Sequence, residues 1–164
     1  LIMGQKEAVD EVVILRDDYG STLAPLISPQ DFEEFFYPAI KRIVSEIHKL
    51  GGKVIKHTDG NIWKILDLIV DTGVDAVGPL QHEAGMELQM IKEKYPNLAV
   101  VGNIPVDILI TGTPEEVRLA VLDLLDRMKG YNGHIISSGN SITSDVPPKN
   151  LEMMMKTVLE YKRG

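Results

Sequence analysis

The sequence contains no cysteine, which excludes a disulfide framework, a cysteine nucleophile and any metal site built on thiolates. No uncharged run approaches the ~18 residues that a membrane span requires. Basic residues are in deficit, with 17 Lys and Arg against 24 Asp and Glu and a formal charge of −7. A general nucleic-acid binder would show the opposite balance. There is no phosphate loop of the G-x-x-x-x-G-K-[ST] type, no G-x-G-x-x-G and no G-x-S-x-G nucleophile elbow. No signal-peptide pattern opens the chain, and with the missing cysteines this fits a cytoplasmic protein. The first residues, Leu1-Ile2-Met3-Gly4, lead us to expect a processed product or a piece of something longer.

What is present is an ordinary globular composition, 44% hydrophobic over 164 residues, enough for one domain across 1–164 with a sizeable core. Short runs rich in Val and Ile alternate with long amphipathic ones. The former predict strands at 12–16, 53–57, 74–78, 98–103 and 133–138, with the continuous apolar character of strands buried on both faces. The latter predict helices near 29–50, 61–72, 83–95, 114–129 and 148–162. Thr113-Pro114-Glu115-Glu116 reads as a capping box with proline at the first helical position, and Ser28-Pro29-Gln30-Asp31 as a similar start. Pro38 lies inside the first helical stretch and predicts a kink or break there. Five consecutive strand–helix units imply a parallel sheet covered by helices, either an open doubly wound sheet or part of a (β/α)8 barrel. A complete barrel takes ~250 residues, so this chain would supply about five of its units.

In either architecture ligands gather beyond the carboxyl ends of the strands. All five strand candidates run there into polar or glycine-containing loops. Among them, Asp17, Asp18, His57 and Asp59 have the greatest chemical capacity. His57 and Asp59 can hold a metal or act as an acid–base pair; they can equally close a strand and cap the next helix. Asp17 and Asp18 can form a working dyad or an internal pair with Arg16. His82 and Glu83 open a helix, where an acidic side chain suits the dipole. His48, His134 and Trp63 read as structural, and Met153-Met154-Met155 as contributing to the core.

These motifs, taken in order, resemble the carboxyl-terminal part of the uroporphyrinogen decarboxylase superfamily. The markers are Asp17-Asp18-Tyr19-Gly20, Leu26-Ile27-Ser28-Pro29, Phe35-Phe36-Tyr37-Pro38, His57-Thr58-Asp59-Gly60-Asn61, Gly102-Asn103-Ile104-Pro105, Gly112-Thr113-Pro114-Glu115-Glu116-Val117, Ile135-Ile136-Ser137-Ser138 and Pro147-Pro148-Lys149-Asn150. The resemblance implies an α/β fold that is a partial TIM barrel, the last five βα units of a (β/α)8 barrel. It also implies one of two activities, corrinoid-dependent methyl transfer or tetrapyrrole decarboxylation. The methyltransferase branch commonly holds zinc through a His-x-Cys pair and a later cysteine. Here His57 matches the histidine, while Asp59 and Asn140 stand at the cysteine positions. The resemblance therefore implies a harder zinc site of His57, Asp59 and Glu83 or Asp17, suited to oxygen substrates such as a methyl ether. Tyr19, Asn103, Ser138 and Asn140 are the implied substrate-binding residues. The implied partners are a corrinoid (cobalamin) or corrinoid protein and a small methyl donor, or else a tetrapyrrole-like substrate. A third expectation is a non-catalytic partial barrel that self-associates or needs a partner chain.

Overall fold

A computed structural model of the chain describes residues 12–161. Five strands form one sheet in the order β1 (Val12–Arg16), β2 (Lys53–His57), β3 (Ala76–Leu80), β4 (Ala99–Gly102) and β5 (His134–Ile135). Every neighbouring pair is parallel. Strand order follows chain order without reversal, whereas a doubly wound sheet changes direction at its switch point. The sequential order is that of a barrel segment. β5 is shorter than the run at 133–138 predicted, because the ladder is interrupted and resumes as a single bridge between Ile104 and Ser138.

The helices are α1 (Pro29–Asp31), α2 (Tyr37–Lys49), α3 (Trp63–Asp71), α4 (Leu88–Lys94), α5 (Val106–Thr111), α6 (Pro114–Arg127) and α7 (Pro148–Tyr161). The expected disturbance at Pro38 takes a different form. A π-helical stretch, Phe32–Phe36, joins α1 to α2, and the Tyr37 N–H reaches back to the Phe32 carbonyl. The widened turn removes the tight i−4 contact that a proline ring would strike, so α2 continues to Lys49. The helix expected at 83–95 is divided. A 3₁₀ turn at His82–Ala84 ends at Gly85, whose φ of 73° is left-handed, and α4 starts afresh at Leu88. The short α5 lacks a periodic apolar stripe, with Leu109 its one buried residue.

One sheet face is covered by helices. Val54, Val77 and Val100 join Ile47, Ile65, Leu66, Ile69, Ile91, Val117, Val121 and Leu124 in a single buried cluster. On the opposite face, β1 and β5 leave Val12, Ile14 and Ile135 about half exposed. Met154 is buried and Met155 exposed, so the methionine run is core only in part. Asn150, fully buried, ties α7 to the α5–α6 connection by donating to the carbonyls of Leu109 and Gly112 at 2.9 and 2.8 Å.

The predicted start of α6 is present in full. Thr113 Oγ1 accepts from the Glu116 N–H at 3.3 Å, and Glu116 accepts from the Thr113 N–H at 2.7 Å. Thr113→Ala should cost ~1 kcal/mol of unfolding free energy and Thr113→Gly only a few tenths. Urea denaturation of the two variants checks this ranking.

Candidate functional site at the strand ends

The loops after β1 and β2 are built as one unit. Their backbones touch at Gly20 and Gly60. A Cβ on Gly20 would lie 2.4 Å from the Asp59 carbonyl oxygen, and one on Gly60, at φ 72°, would lie 2.5 Å from the Gly20 carbonyl carbon. Hydrogen bonds cross the seam on either side. The Tyr19 N–H donates to the buried Thr58 Oγ1 at 2.9 Å, and the Asn61 N–H to the Ser21 carbonyl at 2.6 Å. Gln81, beyond β3, extends the unit by accepting from the Gly60 N–H at 2.8 Å.

Beneath this seam lies Lys56, with no solvent exposure. Its Nζ donates to the carbonyls of Asp17 at 3.0 Å, His57 at 3.1 Å and Leu15 at 3.4 Å. It also lies 3.5 Å from Asp17 Oδ2 and 4.5 Å from the centre of the Tyr19 ring. Burial pulls the Lys56 ammonium below its ordinary pKa, while the carboxylates of Asp17 and Asp18 act in the other direction. Sequence reasoning missed Lys56. A signal was available, because it shares strand parity with Val54 and so faces the helix layer, where lysine is rarely found unpaired.

On the open face, Arg16, His57, Ser137, Ser138 and Asn140 line a cavity of about 450 Å³ whose walls include Ile14, Ile55 and Ile135. Arg16 and His57 are partners across the β1–β2 ladder. His57 Nε2 stands 3.6 Å from Asp18 Oδ1, an ion-pair distance whenever the imidazole is protonated. Ser138 Oγ donates to the Asn140 carbonyl at 2.7 Å, and Asn140 Oδ1 accepts from the Ser141 N–H at 2.6 Å. Thus His57, Ser138 and Asn140, all named in the sequence analysis, line one cavity, and Asp18, outside its lining, stands beside His57.

Other expected residues go elsewhere. Asp17 turns toward Lys56 and accepts from the Tyr19 hydroxyl at 3.4 Å. The Tyr19 ring is sealed in the core against Phe32 and Phe36, centroids 5.1 and 5.4 Å away, so it supports the loop from below the mouth. Asn103 is 2% exposed and donates to the Met86 carbonyl; it lines a separate cavity of about 610 Å³ with His82, Ile108 and Arg127. Glu83 is exposed on the 3₁₀ turn, and Asp59 lies outside the mouth lining. Asp59 does not cap α3 either; Asn61 Oδ1 accepts from the Trp63 N–H at 3.2 Å. Among the described residues, no three His, Asp or Glu side chains converge as a metal-binding group. The implied trio of His57, Asp59 and Glu83 therefore does not fit a zinc ion in this chain, and no chemical step is derived through one. His48 pairs with Asp75 at 2.8 Å and His134 meets the Gly102 carbonyl at 2.7 Å, both structural placements.

Five parallel βα units in sequential order, with a cavity toward the carboxyl ends of their strands, define a barrel-type α/β domain. The family model described as uroporphyrinogen decarboxylase (URO-D) matches residues 2–161, and the chain belongs to that family. It is 30% identical over 166 residues to a uroporphyrinogen decarboxylase of Paraburkholderia phytofirmans, covering 98% of this chain and 43% of that protein. It is also 30% identical over 138 residues to the methylcobamide:CoM methyltransferase MtbA of Methanosarcina acetivorans, covering 84% and 39% respectively. The chain thus spans about two fifths of the length of these relatives. No helix among the described residues is long and apolar enough to cross a membrane.

The Gly60 contact yields a comparative test. Gly51 is also left-handed, at φ 85°, but a Cβ there meets nothing within 4 Å. Gly51→Ala should cost ~1 kcal/mol from backbone strain alone. Gly60→Ala adds a backbone clash and should lower stability clearly further in the same denaturation assay. Tyr19 supplies a pH test. Burial, followed by the neighbouring Asp17 carboxylate, raises its hydroxyl pKa to about 12, against ~10 in an unfolded chain. Between those values the folded state keeps a proton that the unfolded state has lost. The contribution is complete below pH ~10 and is lost as pH rises toward 12. Tyr19→Phe should therefore flatten the alkaline decline in stability, measured by denaturation at stepped pH.

Proposed function

We propose that the chain forms the carboxyl-terminal side of the active-site mouth in a corrinoid-dependent methyltransferase-like member of its family. The observation that carries this reading is the Asp18–His57 pair at the cavity beside Ser138 and Asn140. A protonated His57 can deliver a proton to an oxygen leaving group from Nδ1, the ring nitrogen that is not turned to Asp18. That is what transfer of a methyl group from a small methyl ether or methanol-like donor requires. Asp18 keeps the imidazolium in place, and Ser138 and Asn140 supply donors and acceptors that orient the substrate oxygen. A corrinoid, when bound, supplies the cobalt that takes up or gives back the methyl group. A cavity of about 450 Å³ suits a small donor, so the reading has the corrinoid presented from the solvent side, on a partner protein. The half-exposed Val12, Ile14 and Ile135 further support cover by additional strands, from a second copy or another chain segment.

A second reading, decarboxylation of a tetrapyrrole-like acid, is favoured by Arg16, which lines the same cavity next to His57 and suits a substrate carboxylate. Protein purified from its native source, with any partner chain it carries, distinguishes the two. Methyl transfer should appear as a change in the corrinoid absorption spectrum that falls ~100-fold in His57→Ala, within the usual range for loss of a general acid. Release of CO2 from a uroporphyrinogen with no corrinoid change would overturn the first reading in favour of the second.

A further inference from the structure

We infer that Lys56 is a positioning residue that holds Asp18 against His57. Its ammonium has three donors, and three carbonyls receive them: Leu15 and Asp17 on one side, and His57 on the other. Two of these carbonyls belong to residues at the pair itself, Asp17 immediately before Asp18 and His57. Tyr19 covers the same ammonium with its ring and anchors its own N–H on Thr58. Asp18 is thus fixed from both flanks, while its own carboxylate is left free to reach His57 at 3.6 Å.

A role in packing alone does not account for this choice. A buried charge is generally no more stabilising than a well-packed apolar side chain of similar volume, and methionine would fill the same space. What methionine lacks is the ability to draw together carbonyls from the ends of two parallel strands. Lys56 does so at the one place where the loops bearing Asp18 and His57 meet. The charged groups around His57 are Arg16 across the ladder, Asp17 and Asp18 on the first loop, and Lys56 and Asp59 on its own segment.

The functional meaning of this assignment rests on the reading of the mouth as a working site. Its test needs no substrate, so the two can fail separately. In the intact chain, Asp18→Asn should displace the His57 ring carbon–proton NMR signal at fixed neutral pH. The same substitution in a Lys56→Met background should displace it by less than half as much, and in Lys56→Gln, which retains two donors, by an intermediate amount. Comparing displacements within each background removes the direct effect of the Lys56 charge. Signals from His48, paired with Asp75 on the far side of the sheet, should stay in place and report an intact fold. Equal Asp18→Asn displacements in all three backgrounds would overturn the assignment. So would failure of both Lys56 variants to fold, which would make the residue a requirement of folding.

Discussion

The mouth of this domain depends on one buried cation. Parallel strands end with carbonyls pointing out of the sheet and no further ladder donors to meet them. In most proteins water satisfies such groups. Here the ends of β1 and β2 are closed over by their own loops, packed backbone to backbone at Gly20 and Gly60, and the Lys56 ammonium donates to carbonyls of both ends. A bare ammonium in that position would be costly. Three carbonyls, the Tyr19 ring and the Asp17 carboxylate offset the cost together. Each then acquires a fixed place, so the geometry of Asp18 and His57 follows from satisfying a single charge.

The same constraint explains how labour is divided between the adjacent aspartates. Asp17, whose side chain is largely exposed, still brings Oδ2 to Lys56 and the Tyr19 hydroxyl, where its carboxylate helps to raise the tyrosine pKa. Asp18 faces the open side and reaches His57. Successive residues in extended chain point to opposite faces. A pair that resembles a catalytic dyad in the sequence becomes two exposed carboxylates with different partners, Lys56 and Tyr19 for Asp17 and His57 for Asp18.

The fold was legible because its signals are local and repeated. The apolar runs at 12–16 and 53–57 coincide with β1 and β2, and Thr113 caps α6 in the predicted manner. The misplaced boundaries have physical causes that short-range patterns do not carry. Gly85 divides a helix that periodicity alone would run together, and the π stretch before Pro38 depends on how Phe32 and Phe36 pack around Tyr19. The mouth was legible only in part. His57, Ser138 and Asn140 were legible as cavity-lining residues because they stand at strand ends, where polar loops collect. Tyr19, in the loop after β1, and Asn103, in the loop after β4, point into the core and toward another cavity, and orientation within a loop has no periodicity to betray it. Lys56 was hidden by its chemistry, since a lysine in a strand is ordinarily read as solvated.

Charge at the mouth bears directly on the proposed chemistry. The cavity lining itself carries Arg16 and His57 as its charged or chargeable groups, while Asp18 stands at the edge and Asp17 is turned away. An acidic chain thus places an arginine and a histidine in one cavity lining, with the Asp18 carboxylate beside the histidine. A multiply carboxylated substrate would need several such cations, and this part of the wall offers Arg16 and a histidine already engaged by Asp18. A small oxygen-bearing methyl donor needs only one proton and two or three orienting hydrogen bonds. The proposal assigns that task to His57 with Asp18, Ser138 and Asn140. Under the proposed reading these groups serve methyl transfer, and Arg16 is the residue on which the decarboxylation alternative turns.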